Sequence, residues 1–371
     1  MRILLFVLLL SVSGPAAVSA GTSSPETDSP KTKSLLSILC YHNIDLTSPK
    51  DSPYSVTSSI FASELMALRG AGFEFVSLGQ VEAFYASGKP LPARSVLITF
   101  DDGHENIYTR AYPILKRMGI PWALFIFPTA IGRGHERGFM DWDDVRTLRK
   151  DGVAIGSHSF DHPFLTRPGN GVATREAYDK WLDKELIYSK KLIETQLGMK
   201  VTSFASPFGA LNDVIQEHIR NSGYSLAFNV FGSNNDGENN PLELNRIIVL
   251  AKDSPETIVQ KAKERPLHFR NTIPGSLQVF TGVFGSIEFS LDGIADLAPG
   301  SVHALLNGAK LDTLEENGPV FSATISVPTR SKSYIVTVYA TKKTGETCSQ
   351  SYYFSYTKEF PAFLLPTLGK L

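Results

Sequence analysis

Between residue 35 and about residue 264 the chain alternates short apolar runs with segments whose apolar residues recur every three or four positions. LLSILCY, VLITF, WALFIF, VAIGS, VTSFAS, YSLAFNV and LNRIIVL read as strands. Among the intervening segments, FASELMALRGAG places Phe61, Leu65 and Leu68 on one helical face with Gly70 as a stop, and IYTRAYPILKRMG predicts a helix ending at Gly119. Asp141 caps a helix through Val145 and Leu148, a long helical stretch occupies 175–197, and VIQEHIRNSG supplies another. SPETIVQKAKE opens a last helix with Ser254 as cap and Pro255 in the first turn. Strands alternating with helices predict an α/β fold with a largely parallel sheet, and this many units predict a barrel or a distorted one. Past Pro266 the period shortens. SLQVFTGVFGSIEFSLDG, HALLNGAKL, FSATISVP, SYIVTVYATKKTGE and SQSYYFSYT are short alternating runs between Gly, Pro and Asn turns, the pattern of an antiparallel, immunoglobulin-like β-sandwich.

The start of the chain follows neither pattern. Arg2, an apolar run from Ile3 to Leu10 and small residues at Val18, Ser19 and Ala20 predict a secretory signal peptide cut after Ala20. The run is too short for the ~20 residues of a membrane span. Residues 21–34 (GTSSPETDSPKTKS) are polar and aperiodic, hence a linker. The expected organisation is a signal peptide (1–20), the linker (21–34), an α/β domain (35–264) and an accessory β-sandwich (265–371) in a secreted or periplasmic protein. With 371 residues and a formal charge of −1, the chain has no long-range attraction for nucleic acid or anionic membrane. Its two cysteines, Cys40 and Cys348, fall in different predicted domains, so no disulfide framework is expected.

Chemistry concentrates where one apolar run ends, in LITFDDGHENI, with adjacent aspartates at Asp101 and Asp102. In an α/β architecture that position faces the ligand side. Two carboxylates so close repel unless a cation stands between them or one takes a proton. VAIGSHSFDHP ends another strand with His158 and His162, spaced so that both imidazoles can converge on one ion. One carboxylate and two imidazoles suit Zn²⁺, with Ni²⁺ or Co²⁺ as alternatives, and leave coordination positions for water and substrate. The second aspartate is then free to act as a base. His42, at the end of SILCYHNI, offers a proton donor on the same face.

TFDDG (99–103) and SHSFDH (157–162) resemble the first two motifs of the polysaccharide deacetylases, carbohydrate esterase family 4, of NodB-homology barrel fold. The resemblance spans about 38–260 and implies Asp101 as general base and Asp102, His158 and His162 as metal ligands. ILCYHNI is similar to the opening of the circularly permuted branch that contains the poly-N-acetylglucosamine deacetylases, and this implies His42 as catalytic acid. The third motif departs. It reads ASPFG (205–209), with Ala205 at the usual arginine position and Phe208 at the aromatic one. By the same resemblance the Phe208 amide is an oxyanion donor, and Arg246 in LNRIIV is the candidate cation for Asp101. The implied activity is metal-dependent removal of N-acetyl groups from N-acetylglucosamine in a polysaccharide, with peptidoglycan as the first expectation. Poly-N-acetylglucosamine, chitin, an acetylxylan ester substrate and a non-catalytic glycan-binding role are the alternatives. His104 is read as substrate-side or structural, His135 as part of a surface loop bordering a groove, Trp142, Tyr108 and Phe164 as aromatic residues able to stack on sugars, and NNDGENNP (234–241) as a solvated loop.

Overall fold

The computed structural model describes residues 34–47, 52–168, 172, 174–276, 278–280, 285–325 and 332–356. The signal peptide and nearly all of the expected linker lie outside these residues. Strand β1 is Leu35–Tyr41, followed by a small parallel pair, β2 (Asn43–Asp45) and β3 (Ser55–Thr57), and by β4 (Glu74–Phe75). Then come β5 (Arg94–Phe100), β6 (Trp122–Ile126), β7 (Ala154–Ser157), β8 (Ser203–Ala205), β9 (Leu226–Phe228) and β10 (Ile247–Ile248). The main sheet runs β10-β1-β5-β6-β7-β8-β9, with every pairing parallel and β4 added to β5. It bends back on itself. The Leu244 and Asn229 amides bond to the carbonyls of Ala227 and Leu244 at 2.8 and 2.9 Å, so residues 244–248 join β9 at their start and β1 at their end. The result is a distorted barrel closed through an irregular stretch.

Its strands are apolar throughout because both faces are covered. Leu39 and Tyr41 of β1, Ile98 and Phe100 of β5, and Leu124 and Ile126 of β6 pack outward against the helices in one core. Their sequence neighbours Ile38, Leu97, Ala123 and Phe125 fill a second core with Phe228 of β9. Side chains alternate between faces with a period of two, so Cys40, Thr99 and Asp101 belong to the inner face, at its carboxyl end. Gly156 in β7 makes room for this interior, since a Cβ there would lie 2.4 Å from the Phe125 ring. The helix signals hold as well: Asp141 caps Trp142–Lys150 in a reciprocal box with Asp144, and Gly119 closes Tyr112–Met118 in the left-handed conformation. The stretch 175–197 is helical but passes through a π turn at Lys184–Tyr188.

The C-terminal strands are β11 (Arg265–Pro266), β12 (Phe269–Ile273), β13 (Val279–Phe280), β14 (Ser286–Leu291), β15 (His303–Leu306) and β16 (Ala309–Lys310). They continue with β17 (Glu315–Asn317), β18 (Val320–Thr324), β19 (Lys332–Thr341) and β20 (Thr347–Tyr356). One sheet is β12-β14-β18-β17; the other is β11-β20-β19-β15-β16, with β13 also on β20. Ile287, Phe289 and Phe321 of the first share a core with Val336, Val338 and Phe354 of the second. The expectation of a wholly antiparallel unit needs correction, because β11 and β13 pair with β20 in parallel. The sandwich abuts the barrel at Phe231 and Tyr353, whose rings stack with centroids 5.2 Å apart. Cys40 and Cys348 are both buried and free.

The reading of NNDGENNP as a solvated loop is also corrected. Asn234 and Asn235 are buried, with Asn235 paired to Leu36 of β1 and Asn234 donating to the Lys261 and Glu264 carbonyls. Asparagine amides satisfy the backbone where the chain crosses from barrel to sandwich, so Asn234–Asp236 are interior, while Glu238 and Asn240 are exposed.

Candidate active site

Asp101 follows β5 directly and is buried, as period two requires. Arg246 comes from just before β10 and is fully buried; Nη1 and Nη2 donate to the two Asp101 oxygens at 2.7 Å each. Its guanidinium lies over the Phe125 and Phe228 rings, 5.5 and 5.9 Å from their centroids. Cys40 Sγ donates to Asp101 Oδ2 at 3.4 Å. Burial pushes the Cys40 thiol well up and keeps it a neutral donor. For Asp101, burial pushes the carboxyl pKa up, but the Arg246 charge and hydrogen bonds outweigh it and hold the group well below the usual carboxylate range. This answers the puzzle of the missing motif arginine: the late strand supplies the cation that Ala205 cannot.

Asp102 is set apart from its neighbour by its backbone. With φ at 72° it turns away from the barrel interior toward the loop after β7. His158 Nε2 and His162 Nε2 lie 3.6 and 3.3 Å from Asp102 Oδ1, a buried oxygen with no hydrogen-bond partner. His158 Nδ1 donates to the Ala205 carbonyl at 2.8 Å, which leaves Nε2 as the free lone pair. Burial pulls His162 down to about 4 and, with help from His158, keeps its ring neutral against the opposing carboxylates. Burial raises Asp102, but the His104 hydrogen bond and the surrounding imidazoles bring it to about 2. A carboxylate with an orphaned oxygen beside two imidazole nitrogens is the donor set of a divalent cation, and these three residues fit one. Four of the five non-glycine residues with positive φ among the described residues are Asp102, Ser159, His162 and Phe208. Strained backbone is concentrated where side chains must converge.

Buried partners hold the strained loop. Ser159 Oγ accepts the His162 amide at 3.0 Å, Ser189 donates to the Ser159 carbonyl at 2.8 Å, and Glu185 Oε2 accepts the Phe160 and Asp161 amides at 3.0 Å each. Glu185 reaches inward from the π turn. Its role was invisible in the sequence, where it reads as one more charge on a helical face.

His42 follows β1 on the inner face, and one of its ring nitrogens lies within 4.8 Å of both Cys40 Sγ and an Asp101 oxygen. Its Nδ1 is buried without a partner. Burial lowers its pKa, while the Asp101 and Asp102 charges oppose that. Phe208 is half exposed and stacks on Phe164 at 3.7 Å, its edge 4.7 Å from the His162 ring. His104 lies 3.5 Å from Asp102 and stacks on Phe139. His135 bonds Asp144 at 2.6 Å on an exposed face. Trp142 and Tyr108 pack against the barrel core, and the exposed aromatic rings beside the site include Phe164, Phe208 and Tyr54, the last 5.2 Å from the His42 ring.

Residues 88–227 match the family model described as polysaccharide deacetylase. Over that stretch the chain resembles the polysaccharide deacetylases. It is 26% identical over 191 residues to a putative polysaccharide deacetylase, YxkH, of Bacillus subtilis, covering 52% of this chain and 63% of that protein. It is 28% identical over 211 residues to the poly-β-1,6-N-acetyl-D-glucosamine N-deacetylase of Staphylococcus aureus, covering 56% and 72%. The solved structure of IcaB from Ammonifex degensii superposes with a TM-score of 0.53 at 27% identity, over 62% of this chain and 97% of that one. The chain therefore spans less than two thirds of the Bacillus relative.

Proposed function

We propose that this deacetylase domain is a metal-dependent hydrolase that removes N-acetyl groups from N-acetylglucosamine residues of a polysaccharide. The observation that carries the reading is the division of labour between adjacent carboxylates: Asp101 clamped by Arg246, Asp102 turned toward His158 and His162. A divalent cation held by Asp102, His158 and His162, with Zn²⁺ the first choice, would polarise the acetyl carbonyl and acidify water. Asp101 takes the proton from the attacking water, its charge preserved by Arg246. His42 gives a proton to the departing nitrogen as the carbon–nitrogen bond breaks, releasing acetate and an amine. Burial lowers the His42 pKa overall, and the two carboxylates offset part of that cost of protonating the ring. The Phe208 amide, at the turn beside His162, is assigned to the developing oxyanion. The Phe164–Phe208 stack offers a flat apolar surface to a sugar ring.

Poly-β-1,6-N-acetylglucosamine becomes the preferred substrate, ahead of peptidoglycan, on the strength of the relatives named for that polymer. The domain boundary is placed at 264/265, where the barrel's last helix gives way to β11. An immunoglobulin-like assignment of the sandwich is supported by its strand order: β12, β14, β18 and β17 follow the A-B-E-D sheet, and β20, β19 and β15 follow G-F-C. Among the described residues no helix is long and apolar enough to cross a membrane. Export rests on the signal-like first twenty residues.

Acetate release from poly-β-1,6-N-acetylglucosamine, peptidoglycan sacculi and acetylxylan tests the reading, with Zn²⁺ and with chelator. Release from the first, abolished by chelation and restored by metal, is expected. Release from acetylxylan alone would replace the amidase with an esterase. Binding without release from any glycan, with metal confirmed in place, would leave a glycan-binding protein.

A further inference from the structure

Arg246 Nη1 and Nη2 donate to Asp101, and Nη1 also donates to Thr99 Oγ1 at 3.3 Å. Nε donates to the Asn229 carbonyl at 3.0 Å and helps to fix the plane of the guanidinium. Asn229 is itself fully buried. Its Nδ2 donates to the Glu243 carbonyl at 3.1 Å and to Asn245 Oδ1 at 3.0 Å, while its Oδ1 accepts the Phe231 amide at 3.0 Å. Asn245 is locked in turn by Asn235, whose Oδ1 accepts the Asn245 amide and whose Nδ2 donates to the Asn245 carbonyl, each at 2.8 Å. One donor remains. Asn245 Nδ2 reaches across to β20 of the sandwich and donates to Gln350 Oε1 at 3.1 Å.

We infer that Gln350 is a positioning residue for the deacetylation reaction, acting from the sandwich through Asn245, Asn229 and Arg246 on the Asp101 carboxylate. The asparagine-rich segment that reads as a loop in the sequence is the relay's scaffold. Each bond of such a chain is strengthened by the next, and losing the terminal acceptor of this half-buried bond deprives the Asn245 side-chain amide of its protein partner. Asn245 then relaxes toward other acceptors, Asn229 follows, and the guanidinium no longer meets both Asp101 oxygens squarely. Substrate binding does not depend on that alignment, whereas the charge and aim of Asp101 during catalysis do. Nearby contacts at the same junction, the Phe231–Tyr353 stack and the 3.4 Å Ser233–Ser351 bond, hold β20 in place without Gln350.

This inference rests on the reading of Asp101 as the base, and the test separates the two. Gln350→Leu and Gln350→Glu are compared with the unaltered full chain in acetate release from poly-β-1,6-N-acetylglucosamine. Exchange of the Arg246 Nε proton is followed by nitrogen-15 NMR in the same three proteins. Gln350→Leu should lower kcat about tenfold with KM unchanged and speed the Arg246 exchange. Gln350→Glu keeps an acceptor oxygen for Asn245 and should restore both readouts to within about twofold of the unaltered chain. Unchanged kcat and exchange in Gln350→Leu would overturn the inference, and so would a Gln350→Glu variant as defective as the leucine. If the unaltered chain released no acetate, the functional reading would fail, yet faster Arg246 exchange in Gln350→Leu alone would still establish the relay.

Discussion

The barrel's carboxyl-terminal rim and the C-terminal sandwich are both built from short apolar strands, and they treat their polar atoms differently. In the sandwich, Ile287, Phe289, Phe321, Val336 and Val338 face one another between the sheets, and among its described residues only Asn307 has a positive φ outside glycine. At the rim, four such residues cluster within three loops, and Asp102 Oδ1 and His42 Nδ1 are buried without partners. The sandwich has less strain of this kind, with Tyr352 Oη its one orphaned buried side-chain atom among the described residues. The rim concentrates strained backbone and orphaned atoms where ion, substrate and proton transfer would supply the missing partners, as expected of a functional site in a folded scaffold.

The comparison is broken most severely by removing the charge beneath the rim. Arg246→Leu leaves Asp101 buried and uncompensated, so a loss of about 3–5 kcal/mol in stability is expected together with loss of acetate release. Denaturant unfolding and an activity assay on the same sample check both. Phe289→Ala cuts into the sandwich core and should cost about 3 kcal/mol by the same unfolding measurement, while kcat per folded molecule is retained. If activity fell in step with Arg246→Leu, the two regions would not be separable in the way their packing suggests.

A third test uses a buried acid away from the rim. Glu64, on the helix Ser58–Gly70, accepts the Tyr41 hydroxyl at 2.9 Å, and burial raises its pKa from 4.5 to about 8. The folded state therefore binds a proton that the unfolded chain has already released. Stability from this group is full below about pH 4.5 and is lost as pH rises toward 8. Glu64→Gln should flatten that part of the stability profile measured by thermal unfolding, and an unchanged slope would point to another group. The smallest effect is expected at the exposed stack. Phe208→Ala should alter stability by about 1 kcal/mol or less but raise KM for the polymer several-fold in initial-rate kinetics.

Much of this was legible because the relevant signals are local. A strand's apolar run ending in Asp101 and Asp102, and the spacing of His158 and His162, depend only on where a parallel strand stops. The parity that puts Cys40 and Asp101 on one face needs no more than the two-residue repeat. Arg246 was reachable through resemblance, since 145 residues separate it from Asp101 and no periodicity links them. Glu185, Asn229 and Asn245 were out of reach. Each is polar in sequence and interior in structure, and what makes it interior is a partner supplied by a distant segment. The same reason makes the first half of NNDGENNP, expected as a solvated loop, part of a buried junction, while Glu238 and Asn240 stay exposed.

The central claim is that neighbouring aspartates do different work, one as base and one as ligand. It is tested most directly by measuring Zn²⁺ affinity and acetate release together for Asp101→Asn. The account predicts Zn²⁺ affinity close to that of the unaltered chain and acetate release reduced by about 10³-fold, because the ion's three ligands remain while the proton acceptor is gone. Retained acetate release, or loss of the ion along with it, would contradict the assignment.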